Sequence, residues 1–142
     1  MEKDTDLEIF LVATPGLEAP LGDEAELNGF AQVRTVPGGV TCRGSWPEVW
    51  RANLTLRGAN KVLVRLGSFP AVHLAHLDKR ARKFPWGTVL RPDVPVKVEA
   101  ISRKSRIYHA GAARQRIERA ISETLGTSIS SDANLRVWLR IE

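Results

Sequence analysis

The sequence predicts a mixed α+β fold, and three observations support this prediction. Short apolar runs of strand length, such as residues 8–13 and 61–66, alternate with stretches whose apolar residues recur at helical spacing. A strong turn signal, Pro37-Gly38-Gly39, joins two further strand-like runs. The hydrophobic fraction of 43% in 142 residues supplies a core for one compact domain or two small ones.

The first half of the chain gives the element order strand, helix, strand, strand, helix, strand. A buried strand at residues 8–13 ends at the turn pair Pro15-Gly16, and a short helix follows up to Asn28-Gly29. A hairpin, a second helix and a fourth strand come next, at residues 31–43, 46–56 and 61–66. This order is that of a ferredoxin-like antiparallel sandwich, with helices on one face of the sheet.

The second predicted helix has a marked start and an aromatic stripe. Ser45 and Glu48 have the spacing of a capping box, in which the two side chains satisfy amides at the helix end. Trp46, Trp50 and Leu54 recur at i, i+4 and i+8. This spacing predicts that the three side chains pack in the core.

The second half of the chain predicts a smaller α/β unit. A helix at residues 71–82, a turn-rich connection at 84–92 and a strand at 94–101 precede a helix that starts near Tyr108 or His109. The buried stripe of this last helix is predicted to comprise Ala113, Ile117, Ala120, Ile121 and Thr124.

The end of the chain completes this second unit. Gly126 is placed to end the helix, and residues 135–141 alternate apolar and basic side chains as a half-buried strand does. We therefore expect two units, at residues 1–68 and 69–142.

The charge is distributed unevenly between the two halves. Residues 1–71 carry seven Lys and Arg against nine Asp and Glu, a balance of −2, whereas residues 72–142 carry fourteen against seven, a balance of +7. Clustered cations release counterions from a phosphate backbone, so this asymmetry indicates a polyanion-binding surface in the second half.

Several classes of protein are disfavoured by what the sequence lacks. It has no apolar run of about 18 residues and no basic, apolar leader, so we expect a soluble, cytoplasmic protein. Cys42 is the only cysteine and is predicted to be a small buried hydrophobe, not a nucleophile. His73 and His76 have no carboxylate or cysteine beside them in the sequence, which argues against a metal site.

A basic turn between the strand at 94–101 and the following helix is the strongest candidate site. Arg103, Lys104 and Arg106 lie in this turn, and Arg114 and Arg116 follow within the helix. Loop amides, a helix N-terminus and cations together favour phosphate binding, although a basic turn can also be only a solvated loop.

A second basic cluster ends the helix at residues 71–82. Its members are Lys79, Arg80, Arg82 and Lys83. These side chains either complement the negative end of the helix dipole or make a peripheral contact with the same polyanion.

The residues around the basic turn resemble a known family. The segment 100–119 is similar to the strand-turn-helix signature of THUMP domains, which are RNA-binding modules of RNA-modifying enzymes. With the segments 10–18 and 36–40, the helix around Trp50 and Val137-Trp138, it looks like the front end of bacterial THUMP-containing ribosomal-RNA guanine N2-methyltransferases.

The resemblance implies a ferredoxin-like unit followed by a THUMP core, with a methyltransferase domain after it. Members of the family bind S-adenosylmethionine through a glycine-rich turn and grip the target amine through an Asn/Asp-Pro-Pro-Tyr/Phe motif, and neither occurs here. We therefore expect no cofactor in this chain and S-adenosylmethionine in a larger parent enzyme. The chain stops on a strand at Glu142, which suggests a fragment or, alternatively, a standalone adaptor.

The resemblance also implies that structured RNA, ribosomal or transfer, is the partner. Phosphate contacts of this kind orient RNA without reading its sequence. Tyr108 is expected either to stack on an unpaired base or to pack on the sheet edge, and His109 either to cap the helix or to contact RNA. The expected RNA-binding residues are Arg103, Lys104, Arg106, Tyr108, His109, Arg114 and Arg116, with Lys79, Arg80, Arg82 and Lys83 at the periphery.

Two other classes of function compete with this interpretation. A catalytic protein in its own right is disfavoured because no carboxylate pair, nucleophile with base, or metal cluster is evident in the sequence. A ferredoxin-like regulatory or oligomerisation module that binds a small molecule or a protein stays open. The salt dependence of binding separates such a module from a phosphate-binding domain.

Overall fold

The structure, a computed structural model, describes residues 6–105, 107 and 109–142. The chain divides into two compact units, at residues up to Gly67 and from Ser68. The first unit contains β1 (Leu7–Val12), α1 (Glu18–Leu27), β2 (Ala31–Val36), β3 (Gly39–Gly44), α2 (Trp46–Thr55) and β4 (Lys61–Arg65). The second contains α3 (Leu74–Lys83), a short 3-10 helix (Trp86–Thr88), β5 (Val96–Ser102), α4 (Ala110–Leu125) and β6 (Leu135–Ile141).

The first unit has the predicted ferredoxin-like architecture. Its four strands lie in the order β2-β3-β1-β4, and all neighbours are antiparallel. The central strand β1 pairs Ile9 with Cys42 on one side and with Val64 on the other. Ile9 and Leu11 are fully buried because alternate residues of β1 face the helices.

The prediction of which face of α2 is buried is wrong. Val49 and Ala52 are buried, whereas Trp50 is 61% exposed and Leu54 is 86% exposed. Trp46 packs at the margin of the core and is only half-buried. The helix carries two apolar stripes, and the one with the smaller side chains faces the sheet.

The predicted capping box at the start of α2 is also wrong. Ser45 is the N-cap residue, but its side chain makes no capping hydrogen bond. Its carbonyl accepts from the amides of Glu48 and Val49, at 3.0 and 3.3 Å. The carboxylate of Glu48 turns instead to Arg51, whose Nε and Nη2 donate to it at 3.0 and 2.7 Å.

Cys42 is a fully buried residue of β3, as predicted. Burial raises the pKa of its thiol to about 11. A thiol held in its neutral form is a poor nucleophile, so Cys42 contributes to packing.

The second unit is an α/β arrangement, as the sequence predicts. Strands β5 and β6 are parallel neighbours, with Val98 opposite Val137. Helix α4 connects them and packs against β5. Its buried residues are Ala113, Ile117, Ala120 and Ile121. Thr124, the fifth predicted member of the stripe, is exposed.

Both ends of α4 are well defined. The helix begins at Ala110, one position after the predicted start, with His109 as its N-cap residue. It ends at Gly126, which adopts a left-handed conformation with φ of 78°. Glycine adopts this conformation without the steric cost that a Cβ imposes, so the predicted stop is confirmed.

The segment between α3 and β5 is anchored by Trp86. This side chain is buried, and its Nε1 donates to the carbonyl of Ala81 at 2.9 Å. Its ring lies 4.6 Å from that of Phe84. The packing of Trp86 therefore holds the end of α3, where the second basic cluster lies.

None of the helices in the described part of the chain is both long enough and apolar enough to span a membrane.

Candidate nucleic-acid interface

The turn between β5 and α4 presents two exposed cations. Arg103 and Lys104 follow the last residue of β5 directly, and both are solvent-exposed. Lys104 has a φ of 47°, so the backbone reverses sharply at this point. The amide of Arg103 donates to the carbonyl of Ile141 at 2.8 Å, which ties the start of the turn to β6. Arg106 and Tyr108, also predicted to bind RNA, lie outside the described residues.

Two serines hold the middle of this turn. The hydroxyl of Ser102 donates to the carbonyl of Ile107, and the hydroxyl of Ser105 accepts from the amide of Ile107 at 3.1 Å. The side chain of Ile107 is buried, with 3% of its surface exposed. These two hydrogen bonds and the buried side chain of Ile107 hold the turn in place on the second unit.

The start of α4 lies beside the end of β5. Ala110, Gly111 and Arg114 line one cleft together with Ala100 and Ile101 of β5. The first amides of a helix have no partner inside the helix, and they carry the positive end of its dipole. The carbonyl of His109 accepts from the amide of Ala113 at 3.0 Å, while its imidazole makes no capping hydrogen bond.

Arg114 and Arg116 point to different sides of α4. Residues two positions apart on an α-helix diverge by about 200°. Arg114 is exposed and forms an ion pair with Glu118 at 3.5 Å, and Arg116 is half-buried. Only Arg114 of this pair lines the cleft next to β5.

The second basic cluster lies at the end of α3, is called the α3 cluster below, and forms a separate basic surface. Lys79, Arg80 and Lys83 line a depression of about 310 Å³ with His76. These four residues have the spacing of one helical stripe. The Nε of Arg80 donates to the Nε2 of His76 at 3.2 Å, which orients the guanidinium over this stripe.

Arg82 differs from its neighbours in α3. Its Nε donates to Asp78 at 3.1 Å, and its Nη1 donates to Glu123 of α4. The hydrogen bonds to these two carboxylates, Glu123 first, raise the pKa of the guanidinium. Glu123 lies about 20 Å along the axis of α4 from Ala110, so Arg82 belongs to the end of α4 opposite the basic turn.

His73 acts as a helix cap. Its Nδ1 accepts from the amide of His76 at 3.2 Å, and the two rings lie 5.8 Å apart. The residues that the structure describes contain no group of three or more His, Cys, Asp or Glu placed to hold a metal ion.

One exposed aromatic residue beside the cleft was not predicted as a site residue. Trp138 of β6 is 38% exposed and lines the same cleft as Arg114. It lies between Arg136 and Arg140 in an alternating strand. An aromatic residue flanked by cations on the exposed face of a strand is the signal that identifies it.

The fold and the charge distribution together indicate which kind of ligand the chain suits. The chain combines a ferredoxin-like unit with a βαβ unit whose net charge is +7, and the exposed cations of the second unit cluster after β5 and along α3. Exposed cations clustered in this way are typical of polyanion-binding surfaces.

Comparison with known proteins extends this description. Residues 8–63 match the model of the RlmL ferredoxin-like domain. The chain is similar to the ribosomal RNA large subunit methyltransferase K/L of Methylococcus capsulatus, with 29% identity over 82% of this chain. The enzyme of the same name from Stutzerimonas stutzeri is 28% identical over 95% of this chain. The chain spans only 16% and 20% of the length of these relatives.

Solved structures show the same fold. A predicted N6-adenine-specific DNA methylase from Listeria monocytogenes superposes with a TM-score of 0.85 and 26% identity, over 96% of this chain and 38% of that one. SMU.472, described as a methyltransferase complexed with SAH, gives a TM-score of 0.80 and 24% identity, over 84% of this chain and 32% of that one. The likeness extends over both units of the chain.

Proposed function

We propose that this chain is the RNA-binding, THUMP-type region of a larger RNA methyltransferase. It orients structured RNA through phosphate contacts, and a tethered catalytic domain outside this chain carries out the methyl transfer. The similarity to ribosomal RNA methyltransferases supports RNA as the partner and the cytoplasm as the location. Guanine N2 as the target atom follows from the sequence resemblance.

The basic turn between β5 and α4 is the observation that carries this proposal. Arg103 and Lys104 are exposed, and the turn that bears them is pinned by hydrogen bonds to Ile107 and Ile141. A fixed turn presents its cations without first having to be ordered by the ligand. Arg114 adds a further cation beside the start of α4, where backbone amides favour an anion.

The turns that follow β1 and β5 differ from the glycine-rich turn that binds S-adenosylmethionine. They begin with Thr14-Pro15-Gly16 and with Arg103-Lys104-Ser105. We therefore assign the cofactor to the tethered domain, in line with the SAH bound to SMU.472. The role of this chain is to hold the RNA while that domain selects and modifies the base.

The α3 cluster provides a second contact on the same RNA. Lys79, Arg80 and Lys83 form an exposed basic stripe. The neighbouring Arg82 contacts Glu123, which lies about 20 Å along the axis of α4 from the start of that helix. We propose that the stripe contacts a phosphate region distant from the one held by the turn. Arg82 contributes less to this contact because its guanidinium already binds two carboxylates.

A pair of charge-matched double variants tests the proposal. Arg103→Gln with Lys104→Gln removes two phosphate contacts, which corresponds to about 25- to 60-fold weaker binding of an RNA hairpin at 0.1 M salt. Arg34→Gln with Arg57→Gln changes the net charge equally, in the first unit at two exposed sites, and is expected to bind nearly as well as the wild type. Equal affinities of the two double variants for the hairpin would refute the proposal.

A protein-binding module is the second candidate, and the exposed face of α2 favours it. Trp50 and Leu54 lie one turn apart and are largely exposed. Paired apolar side chains on a helix surface are typical of a protein contact. If this candidate is correct, association depends on Trp50 and Leu54, responds little to salt, and does not require RNA.

A further inference from the structure

The cleft between the start of α4 and the β5–β6 sheet is open to solvent and is lined by both apolar and charged residues. Its volume is about 420 Å³, within the range of about 300–1,000 Å³ that is usual for small-ligand sites. It is lined by Glu99, Ala100, Ile101, Ala110, Gly111, Arg114 and Trp138. We propose that this cleft receives one unpaired RNA base, stacked on Trp138. This inference rests on the proposed function, because it names the part of the RNA that the second unit holds.

The register of the sheet gives the neighbours of Trp138 on its own face. Trp138 is opposite Glu99, and Ile101 is opposite Arg140, so these side chains share one face of the sheet. The other face carries the buried Val98 and Val137. The indole is thus on the outward face, with cations of its own strand two residues before and after it, at Arg136 and Arg140.

The exposed apolar groups of the cleft match the flat face of a base. Trp138 is 38% exposed and Ile101 is 50% exposed. RNA-binding proteins hold single-stranded bases on such aromatic platforms, because every base has a π-face. The indole would supply the platform and Ile101 an apolar wall.

The remaining groups of the cleft suit the sugar-phosphate that accompanies a base. Arg114 carries five N–H donors, so it can contact a phosphate while it keeps its ion pair with Glu118. The charge of Glu99 is balanced by Lys97 at 3.2 Å. Gly111 also lines the cleft, and a Cβ built on it meets no heavy atom within 4 Å, so a larger side chain can be placed there.

A pair of RNA probes isolates the contribution of the unpaired base. The first probe is a hairpin with a short single-stranded overhang, and the second is the same hairpin with a blunt end. Stacking of one base predicts that the wild-type chain binds the overhang probe about 5- to 150-fold more tightly. An overhang of the same length with abasic positions keeps the phosphate that Arg114 contacts, and it is expected to lose only the stacking part of this preference.

Two variants act on the cleft by different means. Trp138→Ala removes the platform, and Gly111→Leu fills the cleft from the side of α4. Both are expected to abolish the preference for the intact overhang over the abasic one, and Trp138→Ala is expected to leave the affinity for the blunt hairpin and its salt dependence unchanged. Trp138→Phe keeps an aromatic platform and should retain most of the preference. Trp50→Ala, which removes an exposed tryptophan in the first unit, is the matched control.

Fluorescence gives a signal that would not change if Trp138 had only a structural role. A base stacked on Trp138 should quench part of the tryptophan emission when the overhang probe binds, and this quenching should be lost in Trp138→Phe. Equal affinity of the wild type for the intact and the abasic overhang, or a preference for the intact overhang that persists in Trp138→Ala, would overturn the inference. A blunt hairpin that binds without salt dependence would instead overturn the proposed function, so the two failures are distinguishable.

Discussion

The hydrogen bond from Ser102 to Ile107 provides a test of whether the shape of the basic turn matters for RNA binding. The Ser102 hydroxyl donates to a carbonyl that belongs to a buried residue. Ser102→Ala removes the donor and leaves that carbonyl without this partner. A neutral hydrogen bond of this kind contributes about 1 kcal/mol to stability. We expect the free energy of unfolding to fall by about this amount.

Part of this loss should appear in RNA affinity. A change of about 1 kcal/mol corresponds to at most about a fivefold change in an equilibrium constant. If the hydrogen bond holds the turn in its binding shape, an RNA hairpin should bind Ser102→Ala more weakly, by up to about fivefold, with an unchanged salt slope. Fluorescence anisotropy measures the affinity, and urea unfolding measures the stability.

Ser122→Ala is the control for this experiment. Ser122 is an exposed serine of α4, so the same chemical change there should affect neither property appreciably. If Ser102→Ala loses stability but binds RNA as tightly as Ser122→Ala does, RNA binding does not depend on this hydrogen bond and the prediction is refuted.

Three further predictions concern burial and ion pairing. Trp86→Ala should lower the free energy of unfolding by about 3–5 kcal/mol, whereas Trp50→Ala should change it by less than about 0.5 kcal/mol; similar losses would contradict the burial of these two side chains. Arg80→Gln should weaken binding of an RNA hairpin more than Arg82→Gln, in anisotropy titrations at low salt, since Arg82 is already bound to two carboxylates; the reverse order would count against the α3 contact. The Cys42 thiol, with a pKa of about 11, should react with a thiol reagent at pH 8 only after unfolding in urea. Because the unfolded thiol ionises near its usual pKa of about 8.5, stability should also decrease as pH rises from about 9 to 11, an effect that Cys42→Ala would remove.

Local patterns in the sequence were sufficient to predict most of the fold. The bounds of β6 match the predicted 135–141, and those of β2 match the first strand of the predicted hairpin. Glycine and proline mark most ends of the elements, because they act on the backbone at their own positions. The buried face of α2 was predicted wrongly because periodicity reveals stripes but not which stripe faces the sheet. Val49 and Ala52 have fewer atoms than Trp50 and Leu54, and they allow a closer approach of helix and sheet.

The candidate site was predictable where it is local and not where it depends on tertiary contacts. Arg103 and Lys104 are neighbours in sequence, so their common location in the turn followed from the strand-turn-helix pattern. The engagement of Arg82 with Glu123 joins residues 41 positions apart, and no local pattern reports it. Trp138 was predicted to lie in a half-buried strand, but alternation alone does not show which face a helix covers.

The salt dependence of RNA binding tests the central claim most directly, namely that the cations of the second unit bind RNA phosphates. Five contacts from the turn and α4 (Arg103, Lys104, Arg106, Arg114 and Arg116) and three from α3 (Lys79, Arg80 and Lys83) predict a negative salt slope. The logarithm of the association constant should fall with the logarithm of salt concentration with a slope of about −5.6 to −7.2. The Arg103→Gln and Lys104→Gln double variant should reduce the magnitude of that slope by about 1.4 to 1.8. A slope near zero for the wild type, or one that this double variant leaves unchanged, would contradict the claim.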